Sequence, residues 1–230
     1  MSISISAGGR RYGALKSKPD HRDYGISNIR GLDSPSLSVP QVDWEGYCGP
    51  VKDQGDLGAC TAFAGCGMRE FLWRKYTRYE KTLGLASPPI LSPLFLYYQE
   101  RQLDGTLGEG DTGSDGRTSV RTLNQFGVCQ ETLDSYDISK FETPPTTEQL
   151  TEALDFKGGP YHRVYSVADM RSCLASGYAF VLCFQVYESF ESEAVATSGV
   201  MPAYAACPVS RQSGRRQSPS SRSISSWNSI

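Results

Sequence analysis

The feature of this sequence that most constrains its fold is a glycine-containing loop that leads directly into a helical pattern headed by a cysteine. The loop covers residues 53–58, and the pattern covers residues 60–76 and begins at Cys60. Apolar residues recur there with the spacing of one helix face, at Ala64, Met68, Phe71 and Leu72. A thiol at a helix N-terminus lies at the positive end of the helix dipole. We therefore expect a lowered pKa for Cys60 and a reactive thiolate.

A glutamine shortly before this cysteine is a second candidate residue of the site. Gln54 lies six residues before Cys60, and the loop between them contains Gly55 and Gly58. Glycine makes such a loop flexible, so the amide side chain can turn back towards the thiol. The amide and the backbone N–H of Cys60 would then be two donors to the oxyanion of a tetrahedral intermediate. The alternative is that Cys60 is a buried thiol with a purely structural role.

These residues resemble the papain-like cysteine peptidases. The chain reads DQG at residues 53–55 and GACTAF at residues 58–63, close to the DQG and G-[SA]-C-W-A-F pattern around that family's nucleophile. Segments at 42–44, 91–98, 127–129 and 187–202 are also similar, so the resemblance covers about residues 42–204. It implies a thiol protease that cleaves peptide bonds through a thioester. Its catalytic residues would be Cys60 and Gln54, without a cofactor or a metal.

One departure from the family pattern bears on activity. The family pairs its cysteine with a histidine about 130 to 150 residues later, and an asparagine orients that histidine. The corresponding interval here is residues 190–210, whereas the two histidines are His21 and His162. The family's GGHA segment does not occur, and residues 226–228 resemble its NSWG segment only slightly. We therefore expect this chain to be an inactive or weakly active peptidase.

Composition divides the chain into three parts. Residues 1–41 are rich in Ser, Gly, Pro and charge, which predicts an extended N-terminal arm. Residues 42–204 have the apolar patterning of a folded, peptidase-like but incomplete domain. Residues 205–230 form a tail rich in Ser and Arg, and no Asp or Glu occurs after residue 193. Two interpretations of the tail stay open: a genuine disordered extension, or a frameshift or misassigned gene end.

The order of the predicted elements indicates an α+β protein. Helices are predicted at 60–76, after Ser92-Pro93, at 118–126, at 148–154 and at 167–176. Strands are predicted late, at 161–165 and 179–187. Helices followed by strands are typical of α+β folds and not of alternating βαβ units. With the resemblance, this predicts a papain-like two-lobe fold in which the helical lobe is intact and the β-barrel lobe is truncated.

Charge and hydropathy restrict the partners. The net charge of −2 is too balanced for nucleic acid or an anionic membrane as the main partner. The longest apolar run, residues 178–184, is far shorter than the ~20 residues of a membrane helix. No signal peptide is apparent, so we expect a cytoplasmic protein by default. The seven cysteines lack zinc-finger spacing. We expect a peptide or protein substrate, and the oligomeric state stays open.

Two other functions are compatible with the sequence. One is a non-catalytic papain-fold module that binds a peptide or protein in its cleft. The other is an unrelated thiol-dependent transferase, which would need His162 close to Cys60 in space. A glycine-rich acidic segment at 108–113 lacks the Lys-Ser/Thr of a phosphate loop and the spacing of an EF-hand. We predict that this segment is a surface loop at the rim of a peptide cleft.

Overall fold

The computed structural model describes residues 11–29, 41–76, 88–186, 188–201 and 223–225. Within these ranges the α-helices are α1 (Cys60–Lys75), α2 (Pro93–Asp104), α3 (Gly116–Gln125), α4 (Thr147–Ala153), α5 (Val167–Ala175) and α6 (Glu193–Ser198). The strands are β1 (Ala14–Leu15), β2 (Ser114–Asp115), β3 (Cys183–Gln185) and β4 (Ser223–Ser225). Short 3-10 turns occur at Ile26–Asn28, Glu45–Tyr47, Ile138–Lys140, Leu154–Phe156 and Glu188–Glu191. This mixture of helices and few strands confirms the α+β class.

The predicted helix starts coincide with capping residues. The Ser92 side chain accepts a hydrogen bond from the Phe95 N–H, and Pro93 occupies the first turn, where its missing N–H costs nothing. At α5, Ser166 and Asp169 form the expected capping box. These caps satisfy backbone donors that would otherwise be unpaired. The predicted helix starts are therefore confirmed to within a residue or two.

The core lies between α1, α2 and α3, which pack against one another. Gly65 lets them approach closely, since a Cβ there would lie 2.6 Å from the Ser119 Oγ and 2.9 Å from a methyl group of Leu96. The fully buried apolar side chains of this core include Ala62, Cys66, Trp73, Leu91, Leu96, Tyr97, Val128 and Cys129. Burial of this apolar surface fixes α1 and, with it, the position of Cys60.

Strand pairing in the described residues is sparse. β1 pairs with β2 in parallel, and β3 pairs with β4 in antiparallel orientation. Part of the predicted tail thus forms β4, which also lies beside α1 and β1. The rest of the tail, and residues 1–10 and 30–40 of the predicted arm, lie outside the described residues. No closed barrel is present in the part of the chain that the structure describes, as the truncated second lobe predicts.

One predicted strand is wrong and another is shorter than predicted. Residues 161–165 form a loop that makes a single parallel bridge, between Gly25 and Arg163. The Arg163 N–H donates to the Tyr24 carbonyl at 2.7 Å, and the Ile26 N–H donates to the Arg163 carbonyl at 2.9 Å. The apolar run at 179–187 is a strand only at Cys183–Gln185. β-propensity extends a strand only where a neighbouring backbone supplies partners, and here the neighbour is short.

A buried charge network anchors the chain just before the loop that carries Gln54. The Lys52 ammonium donates to the Glu70 Oε1 at 3.0 Å, to the Leu91 carbonyl at 2.8 Å and to the Glu131 Oε2 at 3.1 Å. Glu70 lies on α1 and is almost fully buried. The network thereby ties the Gln54 loop both to α1 and to the entrance of α2, so the two predicted site residues share one rigid support.

Candidate active site

The structure brings Cys60 and Gln54 together. Cys60 is the first residue of α1, and its sulfur accepts a hydrogen bond from the Gln54 Nε2 at 3.1 Å. Gly55, with φ +60°, adopts the left-handed conformation that lets the loop turn. The Tyr136 hydroxyl donates to the Gln54 backbone carbonyl at 2.8 Å, and this hydrogen bond holds the loop that carries Gln54 in place. The Gln54 amide therefore lies next to the Cys60 sulfur at the N-terminus of α1. This is the arrangement that the sequence spacing predicts.

The loop between the two residues is also held from the other side of the cleft. The Gly58 N–H donates to the Asp111 Oδ2 at 2.8 Å. A Cβ at Gly58 would lie 2.8 Å from the Asp111 Oδ1, so glycine is the residue that permits this contact. Asp111 belongs to the acidic segment 108–113, which the sequence predicted as a rim of the cleft. Its side chain thus contacts the loop that joins Gln54 to Cys60, which the sequence did not indicate.

A segment of the chain covers the sulfur. We call residues 11–17 the covering segment. The Gly13 N–H donates to the Cys60 sulfur at 3.3 Å, and the Gly13 carbonyl accepts from the Ser114 N–H at 3.1 Å. The Arg11 carbonyl accepts from the Gln54 Nε2 at 2.6 Å. Cys60 has no solvent-exposed surface. In this covered state, the Gln54 amide, which we predict to bind the oxyanion, instead donates to the Arg11 carbonyl oxygen.

Burial changes the electrostatics of the thiol. Removal from water raises the pKa of Cys60, while hydrogen bonds from Gln54 and from the Gly13 and Ala14 backbone act in the opposite direction. The lowered pKa expected from the helix dipole is therefore wrong for this covered state. Desolvation disfavours the thiolate more than the nearby donors favour it. The reactive form requires the covering segment to leave.

The two histidines lie in different surroundings. The His21 side chain is 94% exposed and has Asp20 as its neighbour. His162 is partly buried in the loop whose Arg163 bridges to Gly25. The hydrogen bonds described above for Cys60 come from an amide and from backbone groups. The structure thus gives the Cys60 sulfur one of the two donors predicted from the sequence, the Gln54 amide, and adds the Gly13 N–H.

Two further observations concern metal binding and membrane insertion. Among the described residues, no group of three or more His, Cys, Asp or Glu side chains could hold a metal ion. In the same residues, no helix has the length and apolar character needed to cross a bilayer. The six cysteines that the structure describes are free thiols.

Three comparisons place the chain among known proteins. No family model matches it. An uncharacterized peptidase C1-like protein of Acanthamoeba polyphaga mimivirus is 30% identical in an alignment of 225 positions that covers 84% of this chain and 67% of the viral protein. The crystal structure of xylellain, a cysteine protease from Xylella fastidiosa, matches with a TM-score of 0.65 and 26% identity over 83% of this chain and 71% of xylellain. The chain therefore belongs to the family of papain-like cysteine peptidases.

Proposed function

We propose that this chain performs the chemistry of a cysteine-type peptidase, with Cys60 as nucleophile and Gln54 as oxyanion donor. The observation that supports it is the 3.1 Å hydrogen bond from the Gln54 Nε2 to a sulfur at the N-terminus of α1. Membership of the family supports the same assignment. We further infer that residues 42–204 form the peptidase domain, because α1–α6 all fall within them.

The proposed reaction proceeds through a thioester. The Cys60 sulfur forms a bond to the carbonyl carbon of a peptide, and the negative charge moves to the carbonyl oxygen. The Gln54 side chain and the Cys60 N–H donate to that oxygen. The C–N bond then breaks, and the leaving amine takes up a proton. Water hydrolyses the thioester, which releases the acid and restores the thiol.

We propose that turnover is slow, because the 230 residues contain no histidine after His162. The thiol proton must then reach the leaving amine through solvent. General acid–base catalysis is typically worth ~10²–10⁴ in rate. Removal of one member of a coupled catalytic unit costs on the order of 10⁶ in a serine peptidase. Covalent capture of a peptide electrophile by Cys60 is therefore a more sensitive test than hydrolysis.

A second candidate, a peptide-binding module without catalysis, has one observation in its favour. Arg11 contacts Gln54, Gly13 and Ala14 contact Ser114, and Leu15 pairs with Asp115. These contacts hold the covering segment and do not need the sulfur. Such a module would bind peptides equally well with the thiol removed. The two functions can therefore be separated by substitution of Cys60.

The experiment compares the full chain with its Cys60→Ala variant. A peptide aldehyde is titrated onto both, and hydrolysis of fluorogenic peptides is measured in parallel. Cys48→Ala is the matched control, because Cys48 is an exposed thiol remote from the cleft. Peptidase chemistry predicts that Cys60→Ala loses aldehyde binding and any hydrolysis, while Cys48→Ala keeps both. Equal peptide binding by wild type and Cys60→Ala, with no hydrolysis by either, would instead identify a binding module.

A further inference from the structure

Asp111 is a buried carboxylate beside the loop that joins Gln54 to Cys60. Its side chain is 6% exposed. It accepts hydrogen bonds from the Gly58 N–H at 2.8 Å and from the Tyr97 hydroxyl. The Tyr97 oxygen in turn accepts from the Gly113 N–H at 2.9 Å. These contacts come from α2 and from loops of the helical lobe, so the carboxylate is held in place without any help from the covering segment.

The cation on this carboxylate comes from the covering segment. The Arg11 Nε lies 3.1 Å from the Asp111 Oδ2, and its Nη2 donates to the Asp111 carbonyl at 3.3 Å. The guanidinium therefore meets both the side chain and the backbone of one residue. Arg11 also places its own carbonyl on the Gln54 amide at 2.6 Å. Arg11 thus contacts Gln54, the proposed oxyanion donor, with its backbone and Asp111 with its side chain.

The surroundings of the cleft are acidic. Asp53 and Asp56 lie exposed in the loop next to Gln54. Burial raises the pKa of Tyr136, and the charges of Asp111, Asp56 and Asp53 raise it further. A phenol at the edge of the cleft therefore experiences a negative potential. Such a potential attracts cationic ligands and repels acidic ones.

We propose that Asp111 is a specificity-determining residue, which binds the guanidinium or ammonium group of an Arg or Lys side chain in a peptide occupying the cleft. Arg11 takes that place in the structure described here. This inference rests on the proposed function, because it assumes that the cleft receives peptides. It adds the chemical class that the cleft selects, which is peptides with a basic side chain beside the bond held at Gln54.

The physical basis of the selection is the cost of a buried charge without a partner. When the covering segment leaves, Asp111 keeps two hydrogen bonds but loses its cation. A peptide with a basic side chain restores the ion pair, whereas a neutral isostere leaves the carboxylate uncompensated. Hydrogen bonds to charged groups are worth about twice those between neutral groups. We expect the basic peptide to bind at least about tenfold more tightly than its neutral isostere.

The first test is made within the full chain. Alkylation of Cys60 by iodoacetamide is followed by mass spectrometry of the Cys60-containing fragment, in wild type and in Arg11→Lys, Arg11→Gln and Arg22→Gln variants. Arg22 is the matched control, because its guanidinium pairs with Asp20 and not with Asp111. We expect Arg11→Gln to be alkylated about tenfold faster than wild type. Arg11→Lys, which keeps the charge, and Arg22→Gln should remain within about twofold.

The second test uses peptides in trans. The full chain with Arg11→Gln and Gly13→Ala has a weakened covering segment, because a Cβ at Gly13 would lie 2.0 Å from the Gly58 carbonyl oxygen. The probes are fluorescent copies of residues 9–16 with either arginine or citrulline at the position of Arg11. Fluorescence anisotropy should show at least about tenfold tighter binding of the arginine peptide. Addition of Asp111→Asn should abolish the difference.

The outcomes separate this inference from the proposed function. Equal binding of the two peptides would overturn the role of Asp111. If neither peptide binds, equal alkylation rates of Arg11→Lys and Arg11→Gln would overturn it. The comparison of arginine with citrulline needs no substitution at Asp111, so a folding defect of Asp111→Asn does not affect it. Discrimination between the two peptides without covalent capture of a peptide aldehyde by Cys60 would retain the basic pocket and contradict peptidase function alone.

Discussion

Gly13 and Gly58 pack backbone against backbone directly above the Cys60 thiol. A Cβ added at Gly13 would lie 2.0 Å from the Gly58 carbonyl oxygen, a separation that no side chain can occupy. The Gly13 N–H donates to the sulfur, and its carbonyl accepts from Ser114. Two glycines that are distant in sequence thus allow the covering segment to reach the sulfur.

Substitution of Gly13 tests this relationship. We expect Gly13→Ala to displace the covering segment, because backbone atoms of Gly58 cannot move aside as a flexible side chain would. The rate of Cys60 alkylation should rise at least about tenfold, and its apparent pKa should fall as burial decreases. Gly159→Ala is the control, because a Cβ there meets nothing within 4 Å. An unchanged rate of alkylation in Gly13→Ala would show that the segment does not protect the thiol.

The helical half of the fold was predictable because its signals are local. Ser92-Pro93 and the Ser166/Asp169 box lie within four residues of the N–H groups that they satisfy. The relation of Gln54 to Cys60 was predictable for the same reason, because it spans six residues and a glycine turn. In each case the side chain and the group that it contacts are at most six residues apart in the sequence.

The remainder of the site depends on pairs far apart in sequence. Asp111 meets Gly58 across 53 residues, and Arg11 meets Asp111 across 100 residues. The sequence shows a basic segment and an acidic segment, but nothing in either pattern indicates that they meet over the thiol. The pKa of Cys60 was wrongly predicted for this reason. The position of Cys60 at a helix N-terminus was predictable from the sequence. Its burial, which raises the pKa of the thiol, was not.

Removal of the amide donor should impair thioester formation. The Gln54 side chain also donates to the Arg11 carbonyl at 2.6 Å and to the Leu57 carbonyl at 3.2 Å, while its backbone carbonyl accepts from Tyr136. Loss of one oxyanion donor costs about 10²–10³ in rate in a serine peptidase. We expect Gln54→Ala to slow acylation of Cys60 by an activated peptide ester to a similar extent, with a melting temperature lowered by the loss of these two hydrogen bonds. A variant that acylates at the wild-type rate would contradict the role of Gln54.

Close packing of α1 should make Gly65 sensitive to substitution. Alanine would gain up to ~1 kcal/mol in helix propensity over glycine. Its methyl group would lie 2.6 Å from the Ser119 Oγ and 2.9 Å from Leu96, which are both buried. Overpacking of this kind typically costs about 1–3 kcal/mol. We therefore expect Gly65→Ala to lower the denaturation midpoint, whereas Gly46→Ala, at a position with open space, should leave it unchanged.

Glu100 should make the stability of the fold depend on pH. It lies fully buried on α2, where it accepts a hydrogen bond from the Thr61 hydroxyl at 2.6 Å, next to Cys60 in sequence. Burial raises the pKa of Glu100 to about 8. The folded state thus binds a proton that the unfolded state releases above its ordinary pKa of 4.5. The contribution of Glu100 to stability is fully present below that value and is lost as the pH rises through about 8.

Glu100→Gln isolates this effect, because glutamine keeps the shape but does not titrate. Urea unfolding at a series of pH values should show the free energy of unfolding of wild type falling relative to Glu100→Gln as the pH rises from 5 towards 8. The exposed Glu148 at the start of α4 offers the matched control, Glu148→Gln, which should follow wild type. Parallel curves for wild type and Glu100→Gln would mean that Glu100 is ionised within the folded core.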